Sequence, residues 1–162
     1  MKNAVFAGTF DPVTKGHEEV IKKASLTFDK VTVAILINPD KNALFKVEDR
    51  LEMLRAVCSK YKNVEVEYFE GMLVDFMKKK GAIYNVRGVR NAFDFEYENK
   101  MHYYNLAHFS DLITIYLPCS ESLIEVSSTS ARKGILNGEY DENILSKSVI
   151  EIIKKVNLKD SK

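Results

Sequence analysis

The sequence predicts an α/β fold: a single domain whose mainly parallel, five-stranded sheet is flanked by helices. Three observations predict it. Short, β-branched apolar runs recur along the chain. Segments with helical periodicity fall between them, and strand–helix–strand alternation is the pattern of parallel pairing. No internal repeat and no Pro/Gly/Ser-rich linker divides the 162 residues, a length that buries about 69% of its unfolded surface in one core. The domain is expected to span residues 1–156, with 157–162 as a fraying tail.

Taken in order, Lys2 to Gly8 reads as a buried strand. Val20, Ile21, Ala24 and Phe28 then recur at helix spacing. Val31 to Ile37 is apolar on both faces but for Thr32, which suits a strand covered on both sides. Leu51, Leu54, Cys58 and Tyr61 mark a second helix, whose acidic first turn at Glu48 and Asp49 suits the helix dipole. Val64 to Phe69 alternates as a third strand, and Leu73, Phe76 and Met77 give a short helical face. Ala82 to Val86 and Leu112 to Leu117 are the fourth and fifth strands, with a long helix from about Asp94 to Phe109 between them. Ile144, Leu145, Val149, Ile152 and Val156 mark a C-terminal helix.

Composition excludes several functions. Lys plus Arg total 24 and Asp plus Glu 23, a net charge of +1, so bulk charge does not hold nucleic acid. No apolar run approaches the length of a bilayer crossing, so no membrane partner is expected. The N-terminal segment lacks the long apolar stretch of a secretory signal. Cys58 and Cys119 form no CxxC pair and lie among apolar residues; both read as core thiols of a cytoplasmic protein. Lys78-Lys79-Lys80 reads as a solvated helix end, and His102 and His108 as structural or interface residues without metal-ligand spacing.

In open α/β sheets, ligands bind beyond the carboxyl ends of the strands, where the topology reverses. The first such loop is Gly8-Thr9-Phe10-Asp11-Pro12-Val13-Thr14-Lys15-Gly16-His17. Gly8 permits close approach of a ligand, Thr9 offers a hydroxyl, and Gly16 and His17 stand where a helix start aims free N–H groups at an anion. Lys41 follows the second strand. Arg87 and Arg90 follow the fourth, where they can fork onto phosphate oxygens or pair with Asp94 or Glu96. Val126-Ser127-Ser128-Thr129 suits a helix cap and, equally, a phosphate cradle.

GTFDPVTKGH resembles the GTFDP and (T/H)xGH elements of the nucleotidylyltransferase superfamily. Asn38-Pro39-Asp40-Lys41, Phe45 with Glu48 and Arg50, Val86-Arg87-Gly88-Val89-Arg90, Asp94-Phe95-Glu96-Tyr97-Glu98, Asn105 and Val126-Ser127-Ser128-Thr129 narrow the resemblance to the phosphopantetheine adenylyltransferases. The chain departs from that pattern at Ala7, where proline is frequent, and at Leu123, where an aromatic is frequent.

The resemblance implies a Rossmann-like, cytoplasmic enzyme of coenzyme A biosynthesis. It would transfer the adenylyl group of ATP to 4′-phosphopantetheine, giving dephospho-coenzyme A and pyrophosphate, with Mg²⁺ carried on ATP and with homohexameric assembly. His17, Lys41 and Arg90 would be catalytic. Thr9, Lys41, Leu73 and Arg87 would bind the acceptor. Thr9, Phe10, His17, Gly88, Val89, Arg90 and Glu98 would bind ATP, Glu98 through ribose hydroxyls or adenine donors. Leu123, Ile124, Glu125, Val126, Ser127, Ser128 and Thr129 would complete the nucleotide site, and no protein metal ligand is implied.

The reaction suits such residues. The acceptor phosphate is already anionic and needs no general base, so the task is to bring one anion onto another and to stabilise the departing pyrophosphate. Two alternatives stand beside this reading. Another nucleotidylyltransferase acting on a nicotinamide mononucleotide or a small polyol phosphate would be separated by a panel of acceptors. A catalytically inactive nucleotide-binding regulatory protein would bind ATP and release no pyrophosphate.

Overall fold

The computed structural model describes residues 1–37 and 42–156. Five parallel strands form one sheet in the order β3-β2-β1-β4-β5. They are β1 (Asn3–Gly8), β2 (Lys30–Ile37), β3 (Val64–Glu70), β4 (Tyr84–Val89) and β5 (Ile113–Pro118). The helices are α1 (Lys15–Thr27), α2 (Val47–Cys58), α3 (Leu73–Lys79), α4 (Ala92–His108), α5 (Ser128–Leu136) and α6 (Lys147–Lys155), with a short 3₁₀ turn at Glu121–Leu123.

Helices cover both faces. On one, Ala4, Phe6, Val31, Val33, Ile35 and Val86 of the sheet meet apolar stripes of α1, α2, α5 and α6 in the larger core. On the other, Val5, Ala7 and Ala34 meet Phe76 and Met77 of α3, with Leu106 of α4 against them. The middle strands β1 and β2 are accordingly buried almost throughout, while the edge strand β3 is only partly buried along its length. Among the described residues, no helix is long and apolar enough to cross a membrane.

The element order agrees with the sequence reading, and differences fall at element ends. β4 runs on through Arg87, Gly88 and Val89 because β5 pairs with it residue by residue as far as Pro118. The last helix begins at Lys147, not at Ile144. Asp141 ties up the preceding turn by accepting from the Asn143 N–H at 2.8 Å, so Ile144 and Leu145 reach the core from a turn. Lys80 is not a solvated lysine: it forms ion pairs with Glu65 and Glu67 of β3, and Lys78 Nζ donates to the His108 carbonyl. The tail 157–162 lies outside the described residues.

β1 connects onward to β2 on one side, while β4 lies on its other side, so the order reverses between β1 and β4. The carboxyl ends of those two strands flank the crevice where ligands of such sheets bind.

Candidate active site

A cleft of about 370 Å³ opens at that reversal. β1 supplies Gly8 and, just beyond it, Thr9 and Phe10; β4 supplies Arg87, Gly88 and Val89, followed by Arg90; α1 supplies Gly16 and His17; the start of α5 supplies Ser127, Ser128 and Thr129. A second cleft of about 270 Å³ is lined by Leu36, Leu73, Asn85, Met101, Tyr104 and Asn105, among others. Arg87 and Glu98 line both.

Phe10 shapes the loop after β1. Its backbone φ of 48° lies in the left-handed region that ordinary side chains avoid. Its ring is 2% exposed and packs edge-on to Phe6 and His17, at centroid distances of 5.3 and 5.0 Å. The ring is thus part of the larger core, while Phe10 also lines the cleft.

Asp11 then acts as a latch. Its carboxylate accepts from the Leu44 and Phe45 N–H groups at 2.8 and 2.9 Å. Arg50 donates to the Thr9 carbonyl at 2.9 Å and Arg132 to the Asp11 carbonyl at 2.8 Å. The loop is thus tied to α2 and α5. Lys41, expected to read the acceptor phosphate, lies outside the described residues.

His17 occupies the third position of α1, whose N-cap is Thr14. The Thr14 backbone N–H donates to His17 Nδ1 at 3.0 Å. A backbone amide only donates, so Nδ1 is unprotonated and the proton of the neutral ring sits on Nε2. Burial first, then the charges of Arg87 and Arg90, push the pKa of His17 down to about 4. The ring is therefore a neutral N–H donor at physiological pH.

The two arginines are aimed by carboxylates. Arg87 Nε and one Nη donate to Glu98 at 2.7 Å each, and the other Nη donates to the Ala7 carbonyl. Arg90 donates to Asp94 through Nε at 2.8 Å and through one Nη at 3.2 Å, and to the Val126 carbonyl at 3.2 Å. Each guanidinium has three of its five N–H groups so engaged, leaving two for phosphate. The Arg90–Asp94 hydrogen bond is the chief cause that raises the pKa of Arg90 and lowers that of Asp94, so both stay charged. Glu98, expected at ribose or adenine, has both oxygens on Arg87 and orients it.

At α5 the hydroxyls are occupied. Ser127 Oγ accepts from the Ser130 N–H at 3.1 Å, Ser128 Oγ donates to the Pro12 carbonyl at 2.8 Å, and Thr129 Oγ1 accepts from Arg132 at 3.2 Å. The backbone N–H groups of Ser128 and Thr129, first and second in the helix, have no partner within it, and both residues line the cleft. Ser127 is the helix cap the sequence suggests, and with the hydroxyls engaged, the unpaired amides are the groups available to an anion there. Leu123, Ile124 and Glu125 form the preceding turn and do not line the cleft, whereas Val126 does. Leu73 lines the second cleft.

Three features escaped the sequence reading. Arg90 pairs with Asp94, as the sequence allows, but the pairing of Arg87 with Glu98 depends on a helix folding back over strand ends. Arg132 and Asp11 work through carbonyls and amides that no motif records. Cys119, expected in the core, is only partly buried and lines the first cleft, because β5 ends one residue before it.

Comparison with known proteins agrees with this geometry. Residues 5–134 match the family described as cytidylyltransferase-like. A phosphopantetheine adenylyltransferase of Clostridium botulinum is 41% identical over 155 residues, covering 96% of this chain and 94% of that one. The chain belongs to the phosphopantetheine adenylyltransferases. Another phosphopantetheine adenylyltransferase, from Clostridium novyi, is 38% identical over 157 residues, covering 96% of this chain and 98% of that one.

The fold of this phosphopantetheine adenylyltransferase family member recurs in more distant proteins. The nicotinic acid mononucleotide adenylyltransferase of Plasmodium falciparum aligns with a TM-score of 0.70 at 20% identity, over 100% of this chain and 99% of that one. A bifunctional NMN adenylyltransferase/ADP ribose pyrophosphatase of Francisella tularensis aligns with a TM-score of 0.74 at 18% identity, over 98% of this chain and 51% of that one. At those identities the likeness is one of fold.

Proposed function

We propose that this chain transfers the adenylyl group of ATP to the phosphate of 4′-phosphopantetheine, giving dephospho-coenzyme A and pyrophosphate in coenzyme A biosynthesis. The observation that carries it is the pair of clefts walled by the same Arg87–Glu98 pair, at the reversal of the sheet. One cleft suits a triphosphate and the other a largely apolar arm.

An oxygen of the acceptor phosphate attacks the α-phosphorus of ATP. The bond from that phosphorus to the bridging oxygen breaks, and pyrophosphate leaves with the electron pair. Nothing in the step needs a proton removed from the nucleophile. His17 Nε2–H donates to the α-phosphate oxygens, where charge concentrates in the transition state. The amides of Ser128 and Thr129 and the free N–H groups of Arg90 hold the β- and γ-phosphates.

Arg87 and Thr9, which line the first cleft, receive the acceptor phosphate, with Lys41 joining them by the family resemblance, and Leu73 of the second cleft packs on its arm. Gly88 and Val89 present backbone to the nucleotide, and a side chain at Gly88 would clash with Val20 of α1, the helix that carries His17.

Among the described residues no group of three His, Cys, Asp or Glu converges, and Asp94 and Glu98 are engaged by arginines. Mg²⁺ is expected to enter as part of the MgATP substrate, because it is commonly held through substrate phosphates, whose charge it neutralises. An interface on α4 is supported by its uncovered aromatic side chains, among them Phe93, 84% exposed, and Tyr103, 63% exposed, and the count of six, a homohexamer, is what the family resemblance implies. A cytoplasmic setting is supported by the two unpaired thiols. The test is incubation with ATP, Mg²⁺ and 4′-phosphopantetheine: dephospho-coenzyme A and pyrophosphate should form in equal amounts, and their absence would contradict the proposal.

A further inference from the structure

Asn85 takes no part in the reaction derived above. It lies within β4, with Val5 of β1 beside it on one side and Thr114 of β5 on the other. A parallel strand covered on both faces calls for an apolar residue there. Instead an amide is buried, 2% exposed, and its Oδ1 has no hydrogen-bond partner among the described residues. Such an orphaned acceptor is rare in native interiors, because it has lost water and gained nothing.

The same side chain lines the second cleft, together with Asn105 of α4, itself 6% exposed. The rest of the lining is mainly Leu36, Met72, Leu73, Met101, Tyr97 and Tyr104. A buried amide in a wall that is mostly apolar, with Arg87, Glu98 and Asn105 as its other polar members, suits a chain that is mostly hydrocarbon and carries an isolated N–H donor. A polyol or a sugar, with hydroxyls along its length, would leave donors facing methyl groups.

We propose that Asn85 is a specificity-determining residue of the acceptor cleft, its side-chain carbonyl accepting a hydrogen bond from a secondary amide N–H of the pantetheine arm. This rests on the acceptor reading given above. The bound acceptor then satisfies an atom that the free protein leaves unpaired, so the contact rewards an amide-bearing arm over one of equal length without the donor.

The experiment compares the wild type with Asn85→Leu, a near-isosteric change that removes both polar atoms. Pyrophosphate release is followed with 4′-phosphopantetheine and with two analogues in which each amide in turn is an ester, which keeps the carbonyl and removes the N–H. Asn85→Leu should raise KM for the natural acceptor about three- to ten-fold and leave KM for ATP within about two-fold. One ester should show a similar rise on the wild type and no further rise on the variant.

An unchanged acceptor KM in the variant, or equal losses from the ester on both proteins, overturns the assignment. Thermal unfolding of the free variant checks folding, since removal of an orphaned amide should not lower Tm. Should the variant fail to fold, the esters on the wild type decide alone, and indifference to both overturns the proposal. If the wild type releases no pyrophosphate with any of the three, the acceptor reading falls and this proposal with it. Turnover without discrimination removes Asn85 alone.

Discussion

His17 is where a single side chain does most for the chemistry. Its Nδ1 is committed to the Thr14 amide, which leaves Nε2–H as the group presented to phosphate. His17→Ala should cut kcat by about 10²- to 10³-fold, the usual cost of losing one transition-state donor, with KM for ATP nearly unchanged. A kcat within a few-fold of wild type would remove His17 from the chemistry. The same residue has a signature in stability. The unfolded imidazole titrates at 6.5 and the folded one at about 4, so between those pH values the unfolded chain binds the extra proton. Stability is therefore lost as pH falls from 6.5 toward about 4, by up to about 3 kcal/mol, and His17→Ala lacks that part of the slope. At this scale the sequence shows His17, because a histidine after glycine at a helix start is a local pattern. It does not show that Glu98 orients Arg87, because that pairing depends on how α4 packs on β4.

Between elements, the site depends on how closely α1 approaches β4. A Cβ at Gly88 would stand 2.7 Å from Val20 Cγ2, nearer than real contacts allow. Gly88→Ala should therefore push α1 outward, cost about 1–3 kcal/mol in thermal unfolding and slow turnover, since α1 carries His17. An unchanged Tm would show that the contact is not tight. The start of α5 is fixed comparably, by Ser128 on the Pro12 carbonyl and Arg132 on the Asp11 carbonyl. The strand and helix sequence was legible because β1 and β2 are nearly continuous apolar runs and α6 carries a strong apolar stripe. Element ends were less so. The extension of β4 comes from a partner strand distant in sequence, and Lys80 is drawn from solvent by carboxylates on β3.

Across the whole molecule, helix N-termini, two aimed arginines and one neutral histidine meet at one sheet reversal, and an apolar second cleft adjoins through Arg87. The place of the site was legible in the chain, since motif residues follow β1 and β4. The division into two clefts was not, because it is made by α4 lying across β4 and β5. α4 also leaves Phe93, Phe95, Tyr97, Tyr103 and Tyr104 exposed. The assembly proposed above predicts a native mass of six 18.5 kDa chains in solution, and a monomer by sedimentation would contradict it. The central claim is that the reversal brings two phosphate-bearing substrates together for direct transfer. ATP labelled at its α-phosphorus, incubated with Mg²⁺, 4′-phosphopantetheine and the protein, tests that claim most directly. The account predicts that the label appears in dephospho-coenzyme A, with none in the pyrophosphate. Label recovered as AMP beside unreacted 4′-phosphopantetheine would contradict it.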